Sequence, residues 1–402
     1  MIPIRSAYDL AEPTPIHKLT AVGRGTPMGE LLRRYWHPVG LVADATHTPK
    51  RVRVLGEDLI LFRDRQGRAG LFHERCAHRG ASLYYGRTEP EGLRCCYHGW
   101  MFDVQGHCVE QPCEPTQSQC SRARQPWYPV EERYGLVFAY MGPMDRKPLL
   151  PRFDLLENLN DSEEITVDDN SIGSGGAAIV PCNWLQHYEN VVDPFHVPIL
   201  HGSFSGTQFV DQMGIMPEVS FEYFDLGIRS TQLRMLAGGG THRRITEVTI
   251  PTLRVVPNPR VEEYGRCNLI GWVLPIDDTH FRIYSAGRVQ KGSSLRVMSR
   301  MNGKLWSELT EEEHQLFPGD FEAQVSQGPV TAHSEENLAT SDQGIAMLRR
   351  FLTRQVDAVA NGADPAGVAF EPGKEAIASE AGNFLIEARD VQVNRQLTKE
   401  TM

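Results

Sequence analysis

Two short segments of this chain each pair one cysteine with one histidine. The first contains Cys76 and His78, and after a gap of sixteen residues the second contains Cys95 and His98. Two thiolates can hold one iron of a [2Fe–2S] cluster while two neutral imidazoles hold the other iron. A structural zinc site is the alternative, but zinc motifs usually place two cysteines before two histidines. The spacing therefore predicts a small domain built around an iron–sulfur cluster, with these four residues as ligands.

The second segment offers two adjacent cysteines. Only Cys95 leaves two residues before His98, so Cys95 and not Cys96 is the predicted ligand. Gly80 and Gly99 suit tight loops whose N–H groups approach the cluster. Three further cysteines do not match the spacing of a plant-type cluster, and we interpret them as ordinary thiols. They are Cys108, Cys113 and Cys120.

A second group of metal-binding residue types lies further along the chain. His196 and His201 are five residues apart and follow Asp193 by three and eight residues. A regular helix would place Glu189, Asp193 and His196 on one stripe, which His201 does not join. Pro198 is expected to break or kink the helix, so that His201 turns back towards the same metal.

Two histidines and one carboxylate form the facial triad of non-haem Fe(II) oxygenases, which leaves coordination positions open for O₂ and substrate. The two histidines are His196 and His201. From the residues alone the carboxylate stays open, since Glu189 and Asp193 are both local candidates. The chain therefore predicts a mononuclear iron site in addition to the cluster.

The chain divides into two parts by its pattern of apolar residues. Residues 37–142 alternate between short apolar runs and turn signals, including a hairpin at Asp64-Arg-Gln-Gly67, and this pattern predicts an all-β unit. The later part mixes long β-like runs with candidate helices, which indicates an α+β unit with an antiparallel sheet. The candidate helices are at about 182–194, 303–317 and 341–361.

Together these motifs resemble the oxygenase (alpha) component of the Rieske non-haem iron ring-hydroxylating oxygenases. The C-terminal text QVSQGPV and SEENLATSDQGIAMLRRFL is similar to the phthalate dioxygenase-like subgroup. The resemblance implies an α+β fold with an N-terminal all-β Rieske [2Fe–2S] domain at 37–145. A helix-grip-like catalytic domain with an antiparallel sheet would comprise 146–402 together with 1–36.

The resemblance also implies roles for particular residues. Asp320 stands where the family has its distal carboxylate, and it is the expected third iron ligand. In relatives an electron path crosses between subunits, which maps to His98 of one subunit, Asp193 of its neighbour and His196. Asp193 would then be a bridge and not a ligand, and Asn190 would lie near the iron.

The implied function is that of a terminal oxygenase. Such a component uses O₂ and two electrons from a reductase to dioxygenate an aromatic substrate, here an aromatic carboxylate or diaryl ether. The alternatives are a Rieske monooxygenase that removes O- or N-methyl groups or hydroxylates a side chain, and an electron carrier that uses the cluster alone. An electron carrier would have no use for the second group, Asp193, His196 and His201.

The resemblance and the sequence agree on the partners. No GxGxxG follows a predicted strand, so electrons must come from an NAD(P)H-dependent reductase that carries flavin and a [2Fe–2S] cluster. The family implies a head-to-tail homotrimer, or a hexamer of two stacked trimers.

The charge balance limits the other partners. The 41 basic and 51 acidic residues leave a net charge of -10, which argues against nucleic acid or an anionic membrane as a partner. No apolar run is long enough to span a bilayer, and we expect a cytoplasmic protein. An aromatic carboxylate needs a cation in the cavity, and the β-like runs supply Arg244 as first candidate and Arg234 as second.

Overall fold

The structure is a computed structural model that describes residues 11–114, 119–169, 176–206, 208–261, 264–295, 300 and 303–386. The α-helices of these residues are His17–Thr20, Pro27–Leu32, Trp184–Val192, Glu311–Leu316, Asp320–Val325 and Gln343–Ala360. A π-helix, Val197–Phe204, follows the third of them. Among the helices described, none has the length and hydropathy that crossing a membrane requires.

Three antiparallel sheets form the first half of the chain. In pairing order their strands are Trp36–Leu41, Leu136–Tyr140 and Val130–Arg133; Lys50–Val54, Glu57–Arg63, Ala69–His73 and Trp127–Tyr128; and Arg87–Glu89, Gly92–Arg94, Met101–Phe102 and Cys108–Glu110. The strands on either side of Asp64-Arg-Gln-Gly67 pair with each other, which confirms the predicted hairpin. The described residues of 37–142 form strands and short 3-10 turns but no α-helix, so this part of the chain is all-β, as its alternating pattern predicts.

A nine-stranded sheet dominates the second half. Its continuous path runs through Glu163–Asp168, His280–Gln290, Leu269–Asp277, Leu253–Val255, Thr241–Thr249, Gly227–Met235 and Glu218–Phe224, with Gly265–Arg266 and Gly382–Ile386 attached beside it. All of its pairings are antiparallel. A separate short parallel pair joins Arg152–Phe153 to Ala376–Ile377. The α+β fold class is thereby confirmed.

The large sheet is covered on both faces. On one face the helix Trp184–Val192 packs, with the His187 ring 5.3 Å from the ring of Phe281. On the other face the ring of Trp272 meets Phe138 of the first half edge-on at 5.6 Å. Adjacent residues of a strand point to opposite faces, so the register of the sheet decides which side chains reach the helix Trp184–Val192.

The predicted helices differ from the observed ones at their ends. The helix predicted at 341–361 is observed as Gln343–Ala360 and buries Leu348 and Leu352. That predicted at 303–317 is reduced to Glu311–Leu316, preceded by a single 3-10 turn at Trp306–Glu308. The domain division at residue 145 stays a prediction. In favour of assigning the N-terminal residues to the second half, Lys18 forms an ion pair with Asp357 of the long C-terminal helix.

Candidate metal centres and substrate cavity

The two loops that carry the Cys–His pairs are built in the same way. In each loop the cysteine N–H donates to the carbonyl five residues on, and the glycine four residues on donates back to the cysteine carbonyl. The bonds are Cys76 N to Ala81 O (2.9 Å), Gly80 N to Cys76 O (2.8 Å), Cys95 N to Trp100 O (2.8 Å) and Gly99 N to Cys95 O (3.1 Å). Both glycines have positive φ, 76° at Gly80 and 71° at Gly99, which a residue with a side chain rarely adopts.

This shared geometry brings the four predicted cluster ligands together in like pairs. The imidazole rings of His78 and His98 lie 4.6 Å apart, and the indole of Trp100 stacks on His78 at 4.3 Å. Cys76 and Cys95 are both buried, whereas Cys96 is exposed. The structure therefore places Cys95 beside Cys76, as the spacing to His98 predicts.

The donor set suits a [2Fe–2S] cluster with different ligands on its two irons. The thiols of Cys76 and Cys95 lie within hydrogen-bond reach, and the hydrogen bond from Cys76 lowers the pKa of Cys95 to about 6. Two thiols on one side and two imidazoles on the other, one of each from each loop, match the ligands of a Rieske centre.

The helix that leads into the second centre ends earlier than its sequence suggests. Asn183 caps its start by accepting from Leu185 N, and the helix ends at Val192 because Asp193 adopts an extended conformation before Pro194. The predicted helical stripe through Glu189, Asp193 and His196 is therefore wrong.

The chain then forms a π-helix, which was not predicted from the sequence. We expected Pro198 to break or kink the helix, but Pro198 lies in the first turn of Val197–Phe204, where its missing N–H is tolerated. The wide turns of a π-helix follow an i to i+5 hydrogen-bond pattern, which suits two ligands five residues apart. Accordingly, the rings of His196 and His201 lie 5.5 Å apart.

Asp320 completes this group from the first position of the helix Asp320–Val325. Its Oδ1 lies 3.1 Å from His201 Nε2 and 3.6 Å from His196 Nε2. The Asn190 amide donates to the same oxygen at 3.2 Å. Burial by itself would raise the pKa of Asp320, but the two histidines hold it well below its usual range.

Two imidazoles and one carboxylate thus converge from separate elements, with their ligand atoms within 4.8 Å of one another. This arrangement fits a mononuclear iron. The second nitrogen of each histidine also has a neighbour. His201 Nδ1 lies 2.7 Å from Gln208 Oε1, and His196 Nδ1 lies 3.3 Å from Asp193 Oδ2. Sequence reasoning missed Gln208, because no local pattern marks a residue that orients a ligand from seven positions away.

Glu189, the other local acid, points elsewhere. Its carboxylate and that of Glu336 both accept from the guanidinium of Arg349, with N···O distances between 2.5 and 2.8 Å. The group Glu189, His333 and Glu336 has metal-ligand chemistry, but both of its acids already form ion pairs with Arg349. Glu189 is therefore part of an ion pair that fixes the helix Trp184–Val192 to the long C-terminal helix.

Removing this cation is expected to destabilise the protein. In Arg349→Met the buried Glu189 loses its partner, which should lower the free energy of unfolding by about 3–5 kcal/mol. Urea denaturation of the variant and the parent protein measures the difference. The double variant Glu189→Gln/Arg349→Met is the control, and it should recover part of the loss because it leaves no unpaired charge at Glu189. A single variant as stable as the parent would contradict this account.

One sheet face carries an unusual set of polar residues, most of them buried. By register Gln232 pairs with Arg244, Arg234 with His242, and Val248 with Arg254, so these side chains share the face on which the helix Trp184–Val192 lies. Three of the residues are arginines, and none forms an ion pair with a described carboxylate. They are Arg234, Arg244 and Arg254.

The three arginines differ in how their guanidinium groups are used. Arg244 donates to the carbonyls of Pro257 and Asn258 and to the Asn383 side chain. Arg234 donates to Ile215 O and Gln232 Oε1, and its buried Nη2 has no partner among the described residues. Burial lowers the pKa of Arg234 to about 10 and that of Arg244 to about 9, which leaves both protonated at neutral pH.

Arg254 was not among the residues singled out from the sequence. Its buried Nε has no partner, and no described residue forms a hydrogen bond with its guanidinium. Burial lowers its pKa to about 10, and the negative charge of the Asp320 carboxylate opposes that shift. By register Arg254 lies on the sheet face that carries Phe281, which the helix Trp184–Val192 covers. A Cβ at Gly271, its neighbour across the sheet, would lie 2.9 Å from Arg254 Nε, so the glycine leaves room for the arginine.

Comparison with known proteins agrees with this geometry. The Rieske [2Fe–2S] domain family matches residues 35–128. Phenoxybenzoate dioxygenase subunit alpha of Ectopseudomonas oleovorans is 50% identical over 384 residues, which cover 94% of both chains. The tert-butanol monooxygenase / tert-amyl alcohol desaturase oxygenase subunit of Aquincola tertiaricarbonis is 35% identical, over 91% of this chain and 81% of that protein.

A solved structure shows the same fold. The structure of the Pseudomonas putida CBB5 NdmA QL mutant with caffeine has a TM-score of 0.61 and 20% identity, and the match covers 83% of this chain and 93% of that one. Sequence similarity along nearly the whole chain, the match to the Rieske domain and the two convergent ligand sets lead to one assignment. The chain belongs to the Rieske non-haem iron oxygenases, as an oxygenase component with a Rieske [2Fe–2S] cluster and a mononuclear iron.

Proposed function

We propose that this chain is the terminal oxygenase of a system that dioxygenates an aromatic carboxylate, with a diaryl ether carboxylate of the phenoxybenzoate type as the best candidate. The observation that carries the proposal is a set of three arginines on the sheet face that packs against the helix Trp184–Val192. Arg234 and Arg244 are buried and Arg254 is half-buried, and none of them forms an ion pair with a described carboxylate. Buried cations are costly unless they are paired, and a substrate carboxylate would pair them. The similarity to phenoxybenzoate dioxygenase supports the same substrate class.

Within this set, Arg254 is the proposed carboxylate anchor and Arg234 its assistant. Arg244 is the first candidate from the sequence, but it already donates to three oxygen atoms. It is therefore better suited to a structural role, in which it joins its strand to Pro257, Asn258 and Asn383. Arg254 retains a fork of free donors, which matches a carboxylate in a bidentate arrangement. Its position opposite Asp320 would direct the substrate ring towards the iron.

The ligand sets define the proposed roles of the other residues. Cys76 and Cys95 would hold one cluster iron, and His78 and His98 the other. His196, His201 and Asp320 would hold the mononuclear iron. When bound, the cluster supplies single electrons and the mononuclear iron supplies the site of O₂ chemistry.

The remaining residues would hold these ligands in place. The Asn190 amide donates to Asp320 Oδ1 and so fixes the direction in which the carboxylate presents its lone pairs. Gln208 fixes the ring of His201 in the same way. The catalytic contribution of these residues of the chain is therefore the orientation of the metal ligands.

The electron path is proposed to run between subunits of a head-to-tail trimer, or of a hexamer of stacked trimers. Large exposed side chains surround both of its ends, with Tyr97 59% exposed at the cluster and Phe204 68% exposed on the π-helix. Exposed apolar groups at two different places on one chain suit a heterologous contact that closes into a ring. His98 would then reach Asp193 of the neighbouring subunit, and Asp193 would lead to His196.

The source of the electrons is proposed to be a separate NAD(P)H-dependent reductase with flavin and a [2Fe–2S] cluster. We also propose that the Rieske domain comprises residues 37–145 and that 1–36 belong with the catalytic domain.

Replacing Arg254 tests the substrate class. Arg254→Met should raise the KM for phenoxybenzoate by about a hundredfold, because a buried charge pair is lost. The kcat/KM for the uncharged diphenyl ether should change by less than about threefold, because that compound has no carboxylate to pair. The control is Arg243→Met, since Arg243 lies on the other sheet face over the ring of Phe384. Equal effects on both substrates would contradict the assignment.

The alternative is a monooxygenase, which the 35% identity to an alcohol monooxygenase favours. Product analysis separates the two. Dioxygenation places both oxygen atoms of ¹⁸O₂ in the product as a diol or its breakdown products, whereas removal of a methyl group releases formaldehyde. Formaldehyde matched to O₂ uptake with a methyl ether substrate, and no turnover of phenoxybenzoate, would transfer the assignment to the alternative.

A further inference from the structure

Two cysteines near the Rieske loops lie unusually close together. Cys108 begins the strand Cys108–Glu110, and Cys120 begins a 3-10 turn at Cys120–Arg122. Their Sγ atoms are 2.6 Å apart. Two sulfur atoms in van der Waals contact are farther apart than this, and a disulfide bond brings them to about 2.0 Å.

The backbone holds the two segments side by side. His107 and Arg124 form an antiparallel bridge next to the cysteines, and Gln119 N donates to the side chain of Gln111 at 2.5 Å. The approach of the two thiols therefore depends on the backbone paths of the strand and of the 3-10 turn, and not on a single rotamer. Both side chains are partly exposed, so a small reagent can reach them.

The described part of the chain that follows Cys108 contacts the second cluster loop. The Cys113 thiol donates to the carbonyl of His98 at 3.5 Å. Pro112 packs so closely on Gly99 that a Cβ there would lie 2.7 Å from the proline Cγ. A restraint on Cys108 and the residues that follow it as far as Cys113 is therefore expected to restrain the loop that carries Cys95 and His98 as well.

We propose that Cys108 and Cys120 are a thiol oxidation site whose disulfide restrains residues 108–113 against the second cluster loop. The oxidant is a small disulfide such as glutathione disulfide. One cysteine thiolate attacks the small disulfide and releases one small thiol, and the other cysteine then displaces the second small thiol. The two protein thiols lose two electrons and two protons in total, and the small disulfide gains them as two thiols.

Closing a loop with a covalent bond reduces the conformations available to the opened state. The oxidised holoenzyme should therefore open its second cluster loop less often and lose its cluster more slowly. The inference rests on the family assignment, which supplies the cluster, and not on the identity of the substrate.

The test uses the full-length holoenzyme incubated with glutathione disulfide and then alkylated. Peptide mapping should find a peptide that joins Cys108 to Cys120 and is lighter by two hydrogen atoms. Cluster loss to a chelator, followed by the visible absorbance, should be at least about threefold slower after oxidation. Reduction with dithiothreitol should restore the original rate.

Two variants keep the proposal falsifiable. Cys108→Ser should form no linked peptide and should lose its cluster at the reduced rate under both conditions. Cys113→Ser, which removes a thiol from the same segment, should still form the Cys108–Cys120 link. Mixed disulfides at Cys96 or Cys113 without that link would overturn the proposal. A link that leaves the rate of cluster loss unchanged would also overturn it.

Discussion

Asp320→Ala is expected to lose the mononuclear iron and with it all measurable oxygenation. The carboxylate is the only anionic group within 3.6 Å of both histidine Nε2 atoms among the described residues, so its removal leaves two neutral ligands for a divalent cation. Iron content should fall from three atoms per chain to two, while the visible spectrum of the Rieske centre stays unchanged. Metal analysis and absorbance of the same sample measure both.

A nearby acid provides the control for this result. Glu322 lies on the same short helix but accepts from Arg300 and Trp306 instead of facing the histidines. Glu322→Gln should therefore keep three irons. If Asp320→Ala also keeps three, another acid must be the ligand, and the assignment of Asp320 is wrong.

Asp193→Asn should keep both metal centres but slow the transfer of electrons between them by about a hundredfold. A carboxylate can accept a hydrogen bond from a histidine on each side, whereas an amide replaces one acceptor with a donor. Asp193 Oδ2 already lies 3.3 Å from His196 Nδ1, and its Oδ1 accepts from Phe195 N. Rapid mixing of the reduced protein with O₂ and substrate should show slow reoxidation of the Rieske absorbance.

The exposed Asp211 supplies a control, since Asp211→Asn removes an equal charge from a segment that packs beside the π-helix. Reoxidation at the parent rate in Asp193→Asn would contradict the bridge. Co-assembly of Asp193→Asn chains with His98→Ala chains tests whether the path crosses between subunits. Mixed assemblies should regain activity if it does, because some interfaces then pair an intact His98 with an intact Asp193. Mixed assemblies as inactive as the separate variants would exclude that route.

The cluster site was predictable because its ligands lie within 23 residues and its loops depend on local turns. Cys95 could be chosen over Cys96 by counting to His98. The mononuclear site was only half predictable. His196 and His201 are close in sequence, but Asp320 came from the family resemblance, since no local pattern links it to residues more than a hundred positions away. The π-helix depends on tertiary packing, and the α-helical periodicity used to interpret this segment assumes 3.6 residues per turn.

The arginine proposed to bind the substrate was the least predictable part of the site. Arg244 and Arg234 were selected because they lie in long β-like runs, but sequence does not tell whether neighbouring carbonyls already satisfy an arginine. Arg254 lies in a strand of three residues, Leu253–Val255, and only the register of the sheet shows which way it faces. The one available signal was indirect, namely a glycine at 271 within an otherwise bulky apolar strand.

With Arg254 as the proposed anchor, substrate preference depends on a position that has no functional group at all. Gly271 contributes only empty volume, and the side chain of Arg254 lies across that volume. A single methyl group there would displace the arginine without altering its charge or any metal ligand. Changes in the range of accepted substrates among related enzymes can therefore arise from residues that a search for polar contacts would pass over. In redesign, the size of the side chain at position 271 can be varied separately from the charged group at position 254.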